Sequence, residues 1–464
     1  MSSEHKALLL GAGFVCPPAV QALSEAGVHV TVASRTLSAA EAVTDGRSNT
    51  SAISLDITDS DALDSAVADA DIVISLVPYT LHAAVVKSAI EHTKPVVTTS
   101  YISPALWELN EKAKEAGITV LNEIGLDPGI DHLYAVKTID EVHRAGGKIT
   151  SFTSYCGALP APNDANNPLG YKFSWSPRGG LLALLNSAQW YENGKIVEVN
   201  GEDLMASAKP HDHFSQFDLV GYPNRDSVGF KQFYDIPVAE TVFRGTLRYK
   251  GFPEIIRTLV AIGYFSQEKL AALDGEKDGS LTWAQLTAEL LGLSSDASQG
   301  DLEAAALEKA PFLSDEERER VVSGLRWIGL FSGDQVEAHG SPIDTLCAVL
   351  EKKMAYGPGE RDMIALQHRF EILRADGARE TRSSTLIEYG EPIGPGSRSA
   401  MAKLVGLPCA VGTLAVLRGQ IKEKGMIAPW TSAQIATLLR DELKKKYKIQ
   451  LNERFAIELE EQVF

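Results

Sequence analysis

Residues 6–16 read KALLLGAGFVC, and the fold turns on how they are understood. A short apolar run ends in Gly11, and GAGFVC supplies two of the three positions of a dinucleotide-binding turn. Gly11 permits the tight turn out of the strand. Gly13 lets the backbone approach a pyrophosphate, which then rests on amides at the N-terminus of the following helix. The third position is Cys16, small but not glycine, so the helix is expected to stand slightly farther from the sheet. A lone GxG is equally a plain strand-to-helix turn. What separates the two readings is whether strands and helices go on alternating.

They do. VQALSEAG is a helix pattern closed by Gly27, VHVTVAS (28–34) a strand, and Leu37 to Val43 a helix. AISLD (52–56) is a third strand, with Thr58 or Asp59 placed to cap the helix after it. DIVISLVP (71–78), PVVTTS and ITVLNEIGL (118–126) read as three more strands, separated by the helices TLHAAVVKSAIEH and PALWELNEKAKEAG. Continuous apolar strands between helices indicate a parallel sheet covered on both faces. We therefore expect a doubly wound parallel Rossmann sheet over residues 1–130.

At the end of the second strand, an NAD-preferring chain would carry an Asp or Glu for the ribose hydroxyls. Here stand Ser34, Arg35 and Thr36. A guanidinium can fork onto a 2′-phosphate, and two hydroxyls can support it. NADP(H) is the expected cofactor; the alternative is a solvated surface arginine.

Ligands of open parallel sheets bind beyond the carboxyl ends of the strands. Val77, Pro78 and Tyr79 follow the fourth strand, Ser100 and Tyr101 the fifth, and Asp127, Pro128 and Gly129 the sixth. LDPGIDH (126–132) then opens a long helix, so Asp127 is a helix cap, a substrate contact, or both.

From Lys148 the pattern changes. KITSFTSYCG is strand-like, and a loop of about twenty residues follows, carrying Tyr171, Phe173 and Trp175, which suggests an ordered lid. Asn193-Gly194 marks a hairpin. In VAETVFRGTLRYKG (238–251), alternation sets Arg244, Thr246 and Arg248 on one face. With Arg225 nearby they form either a carboxylate receiver or a solvent-facing strand surface. Helical patterns, including a capping box at Ser314 to Glu317, dominate from about Pro253 to Ser332. Strands return after that, and a small-residue helix, RSAMAKLVGLPCAVGTLAVL, closes the pattern. The expected organisation is a second α+β mixed-sheet domain (131–255 and 336–393) with a small helical insertion (256–335), and residues 394–445 packing back on the first domain.

A formal net charge of −17 argues against nucleic acid as a partner, though a small anion can still find a locally basic pocket. Cys16, Cys156, Cys347 and Cys409 form no CxxC pair, and His211 and His213 lack a third ligand at recognisable spacing, so neither a disulfide framework nor a metal is expected. MSSEHK lacks the layout of a signal peptide, and the apolar stretch Ala7 to Val20 is too short to span a bilayer. A cytoplasmic protein without membrane attachment is expected, and a homodimer.

Beyond these patterns, long stretches resemble one family. LLLGAGFV, ASRTL, ISLVPYT, TSYISPAL, NEIGLDPGIDHLYAVKTIDEVHRAGGKI, SYCGALPAP, NPLGYKFSWSPRG, YPNRDS and RGTLRYKGFPE are similar to the glutamate-forming, NADP-dependent saccharopine reductases of fungal lysine synthesis. The likeness covers most of the chain and is weakest over 265–335. It implies that the amine of glutamate condenses with 2-aminoadipate 6-semialdehyde, and that NADPH reduces the imine to saccharopine. It further implies that Gly11, Gly13, Phe14, Ser34, Arg35, Thr36, Asp56, Ile57, Val77, Thr99, Ser100, Leu126, Asp127, Pro128 and Ser176 meet NADP. Ser100, Tyr101, Asp127, Arg225, Arg244 and Thr246 would meet saccharopine. Three arginines facing one crevice suit a tricarboxylate, and Asp127 suits an amine. Tyr101, Asp127 and Cys156 are the titratable candidates for catalysis, with no partner base visible for any of them. An enzyme of the same fold acting on another amino-acid imine, or an NADP-sensing regulator, are the rival readings.

Overall fold

The computed structural model describes residues 5–175, 177–274, 281–310 and 314–458. Two sheets organise them. The first starts with β1 (His5–Leu10), β2 (Val28–Ser34), β3 (Thr50–Ser54), β4 (Ile72–Ser75), β5 (Val96–Thr98) and β6 (Thr119–Leu121), all paired in parallel. Each parallel pairing needs a crossover, and the intervening helices supply it. β1 lies between β2 and β4, so the strand order reverses beside the glycine turn, which is where such sheets bind ligands. Val30, Val32, Ile72 and Ile74 have no exposed surface, as strands covered on both faces require.

The second sheet is mixed. It contains β7 (Lys148–Pro160), β8 (Ala188–Glu192), β9 (Lys195–Val199), β10 (Lys209–Pro210), β11 (Leu219–Pro223), β12 (Thr241–Tyr249), β13 (Asp362–Leu373) and β14 (Arg379–Tyr389). Two late strands divide between the sheets. β15 (Gly425–Ile427) joins the first, parallel to β6, and β16 (Asn452–Glu458) joins the second, against β14. β7 and β12 run parallel at the centre, and their neighbours are antiparallel. Asn193 and Gly194, with φ of 50° and 75°, make the tight turn between β8 and β9.

Helices Phe252–Ile262, Trp283–Leu291, Gln299–Glu308, Asp315–Ile328 and Pro342–Lys353 share one core with Leu169, Tyr171, Phe173 and Leu181. Tyr171 and Phe173 are therefore seated in a packed interior, and the segment that carries them is anchored rather than a free flap. Helix Ala400–Leu417 is long and apolar enough to cross a membrane, but most of it is buried. It lies against helix Cys16–Glu25, and both contribute to the core behind β1.

Three local expectations change. The single helix over 104–117 becomes two, Pro104–Trp107 and Asn110–Glu115, because the Leu109 amide takes a tighter bond to the Leu106 carbonyl, 2.9 Å. The sixth strand ends at Leu121: the Asn122 amide still bonds the Ile427 carbonyl of β15, but Glu123 adopts φ 58°, which breaks the extended backbone. The strand over 148–157 runs on to Pro160, shortening the loop.

Candidate active site

The nucleotide cradle is built from the turn after β1. Gly11 has φ 116°, and a Cβ there would lie 2.8 Å from the Leu76 carbonyl oxygen, so the turn requires glycine. A Cβ on Gly13 would meet nothing within 4 Å, which leaves that side open for a ligand. Phe14 is 63% exposed beside it. Helix Cys16–Glu25 starts with no side-chain cap and no acid in its first turn. Pro17 and Pro18 bring no N–H, so the amides for a phosphate come from the turn itself. Cys16 takes the third fingerprint position by burying its side chain. Its thiol donates to the Gly11 carbonyl at 3.6 Å, and burial pushes the group up to about 12. Gly406 backs the turn from helix Ala400–Leu417: a Cβ there would stand 2.7 Å from the Val15 carbonyl oxygen.

Ser34, half-buried, and Arg35 and Thr36, both exposed, close β2. Asp56 follows β3, where the amide (2.9 Å) and hydroxyl (2.7 Å) of Thr58 hold its carboxyl below its ordinary range and Arg35 contributes. An open glycine turn with free amides, next to a guanidinium flanked by hydroxyls, fits a pyrophosphate and a 2′-phosphate. Ile57 and Val77 are half-buried on the adjoining core, and Thr99 is half-buried at the end of β5. Leu126 and Pro128 are buried, flanking the half-buried Asp127. Ser176 lies outside the described residues.

Tyr101, Asp127 and Arg244 converge at the carboxyl edge of this sheet. The Tyr101 hydroxyl donates to Asp127 Oδ1 at 2.6 Å, and Arg244 Nη2 donates to the Tyr101 oxygen at 2.6 Å and pairs with Asp127. Burial lifts the Asp127 carboxyl above its usual range, with Arg244 opposing and Asp131 adding to the lift. Burial likewise holds Tyr101 protonated, well above the ordinary phenol range. Arg244 arrives from β12, whose neighbours β7 and β11 hold it in the sheet. It is buried, which removes the solvent-facing reading, and it is ion-paired rather than waiting free for a carboxylate. Its Nε is buried without a hydrogen-bond partner.

Arg225 is exposed, with its guanidinium 5.9 Å from the Tyr101 ring and a backbone φ of 54°. Its guanidinium is open to solvent beside Tyr101. Arg248 does not join it: its guanidinium is buried over the rings of Tyr171 (4.6 Å) and Phe252 (5.4 Å). Thr246 is paired in register with Cys156 on β7, at the wall of the same site. Burial, and then the nearby Asp127, push the Cys156 thiol well above its ordinary range, so it stays protonated.

Ser100 has a support that the strand-end argument did not reveal. His82 Nε2 lies 2.9 Å from the Ser100 hydroxyl, and its Nδ1 lies 2.8 Å from the Ser75 hydroxyl. Burial pushes His82 down to about 4, so a neutral ring ties the end of β4 to the segment after β5. Asp131 was missed as well. Its Oδ2 accepts from Arg244 Nη2 at 2.8 Å and its Oδ1 accepts the Gly129 amide at 2.6 Å. Behind it, His132 Nε2 is 2.9 Å from Glu123, and Nδ1 is 2.7 Å from the Tyr234 hydroxyl. Burial works to raise the Glu123 carboxyl, but His132, the Ile102 amide and the Trp430 indole outweigh it and hold it low. The one sequence signal for Asp131 is a second acid four residues after Asp127. Nothing in TLHAAVV distinguishes His82 from an ordinary helix residue.

The comparisons with known proteins agree with this geometry. A family model described as saccharopine dehydrogenase NADP binding domain matches residues 7–121, and one described as saccharopine dehydrogenase C-terminal domain matches residues 125–449. A relative named saccharopine dehydrogenase (NADP(+), L-glutamate-forming), from Pyricularia oryzae, is 54% identical over 447 residues, covering 96% of this chain and 98% of that protein. Its namesake from Saccharomyces cerevisiae is 54% identical over 448 residues, with the same coverage of both. The solved structure of the apo histidine-tagged saccharopine dehydrogenase (L-Glu forming) from Saccharomyces cerevisiae matches with a TM-score of 0.87 and 53% identity, over 97% of this chain and all of that one. Family models spanning most of the chain and relatives above half identity along nearly all of it lead to one assignment: the chain belongs to the saccharopine dehydrogenase family.

Proposed function

We propose that the chain catalyses the NADP-dependent, glutamate-forming saccharopine dehydrogenase reaction. Glutamate's amine attacks the aldehyde of 2-aminoadipate 6-semialdehyde, water leaves, and reduction of the imine gives saccharopine; the reverse consumes saccharopine and NADP. The observation that carries this is the cluster of Arg225, Tyr101, Asp127 and Arg244 at the carboxyl edge of the sheet that presents the glycine turn. NADPH, when bound, supplies the hydride.

The residues divide the remaining work. Arg225, exposed and cationic, receives a carboxylate of the amino acid. Asp127 faces the nitrogen, orients it and stabilises the positive charge of the iminium; in a site this dry that interaction is stronger than in water. Tyr101 holds its proton and donates it in a hydrogen bond to Asp127, and Cys156 stays protonated at the wall of the pocket. Ser100, fixed by His82, gives a hydroxyl at the junction of cofactor and substrate. Since the substrate's own amine can carry a proton, the enzyme's main contribution is positioning. The same reading puts the protein in the cytoplasm as a homodimer; the four free cysteines support the reducing compartment.

The test follows absorbance of NADPH with glutamate and the semialdehyde, and then with NADH in its place. Oxidation of NADPH that exceeds that of NADH is expected. No oxidation of either would overturn the assignment and leave a cofactor-sensing role.

A further inference from the structure

One guanidinium faces two carboxylates in this site. Arg244 Nη2 pairs with Asp127, donates to Asp131 Oδ2 at 2.8 Å and to the Tyr101 oxygen at 2.6 Å. The two acids are held differently. Asp131 sits in the first turn of helix Ile130–Arg144, and its second oxygen is tied down by the Gly129 amide at 2.6 Å. Its side chain is 2% exposed, against 9% for Asp127. Asp127 lies at the crevice, and its further side-chain partner is the Tyr101 hydroxyl.

We propose that Asp131 is a positioning residue: as the fixed counter-ion of Arg244 it leaves the Asp127 carboxylate free to turn to the substrate's nitrogen. The inference rests on the saccharopine dehydrogenase reading of the same site. Without Asp131, Arg244 and Asp127 would form a closed one-to-one pair. Turning Asp127 toward an iminium would then leave a buried guanidinium uncompensated, which is strongly unfavourable. With Asp131 in place, Arg244 stays neutralised whichever way Asp127 faces.

The charge on Asp131 also acts on Asp127 through space. Tyr101 faces Asp127 from beyond β5, Asp131 and His132 from the long helix, Arg244 from β12, Cys156 from β7, His368 from β13 and Tyr234 from the segment before β12. Among these groups Asp131 is the other carboxylate, and like charges disfavour each other's ionised form. Removing it moves the ionisation of Asp127 to lower pH.

The experiment measures kcat/KM for saccharopine oxidation against pH, a profile that reports the free enzyme. Asp131→Asn, which keeps an acceptor for the Gly129 amide, should lower the plateau about fivefold or more and move the acid limb down by roughly half a pH unit or more. Asp131→Glu, which keeps the charge, should leave the limb in place. An acid limb that stays put in Asp131→Asn, or that moves equally in both variants, overturns the proposal, because packing alone would treat the two alike. If Asp131→Asn does not fold, Asp131→Ser is read by the same criterion. Loss of all turnover in the unsubstituted enzyme would instead sink the functional assignment, and this inference with it.

Discussion

Arg35 stands where a coenzyme with free ribose hydroxyls would call for an acid, and it is exposed at the end of its strand. Arg35→Asp replaces attraction for a phosphate monoester by repulsion. The preference for NADPH over NADH should fall by at least about tenfold, a loss of roughly 1.4 kcal/mol or more, read as the ratio of kcat/KM for the two coenzymes. An unchanged ratio would mean that the phosphate is held elsewhere. At this scale the legible residues were those whose place follows from topology. Tyr101 and Asp127 lie in the segments that follow β5 and β6, and alternation put Arg244 on one face of its strand without deciding between crevice and solvent. The same logic could not see that Arg244 is already paired, because its second partner, Asp131, reads in sequence as an ordinary acid at a helix start. Nor could it see His82, whose role depends on two hydroxyls brought together only by the parallel pairing of β4 and β5.

Helix Ala400–Leu417 supports the glycine turn through a glycine of its own. Gly406→Ala would set a methyl 2.7 Å from the Val15 carbonyl oxygen and 3.0 Å from the Ala19 amide nitrogen. Both are backbone atoms, so the helix or the turn must shift. The variant should lose about 1–3 kcal/mol of stability, as overpacked sites do. It should also raise the Kd for NADPH more than the KM for glutamate, which fluorescence titration and steady-state kinetics would separate. A lower melting temperature with unaltered NADPH binding would show that the turn tolerates the push. Two local motifs, the capping box at Ser314 and the turn at Asn193-Gly194, are present as read, whereas the helix over 104–117 is broken at Leu109. Elements that depend on distant partners were less legible. β15, which pairs with β6 from some three hundred residues later, was not read as a strand at all.

At the scale of the whole molecule, buried histidines set the response to acid. His82 and His211 are pushed down to about 4, and His368 to about 3, each by burial first. The unfolded chain takes up protons near 6.5, where the folded chain refuses them, so unfolding binds protons in the window between. Stability should therefore fall as pH drops from about 6.5 to about 4. His82 and His368 each contribute up to about 1.4 kcal/mol per pH unit. Asp127 and Asp362, whose carboxyls burial raises, work in the opposite direction: they take up protons in the folded chain before the unfolded one does, and add stability as pH falls from their raised values toward 3.8. Denaturant unfolding at stepped pH would measure this, and His82→Gln should flatten the slope. An unchanged slope in that variant would show that His82 accepts its proton without loss of the fold.

The route of the chain has one more result. The parallel sheet that cradles the nucleotide takes its last strand, Gly425–Ile427, from beyond every strand of the mixed sheet but β16. During synthesis the ribosome must therefore release the chain through residue 427 before that edge can be closed. A nascent chain halted near residue 390 would display β6 as an open border, inviting chaperones or aggregation, and coenzyme could not rescue it as it would an independently folding module.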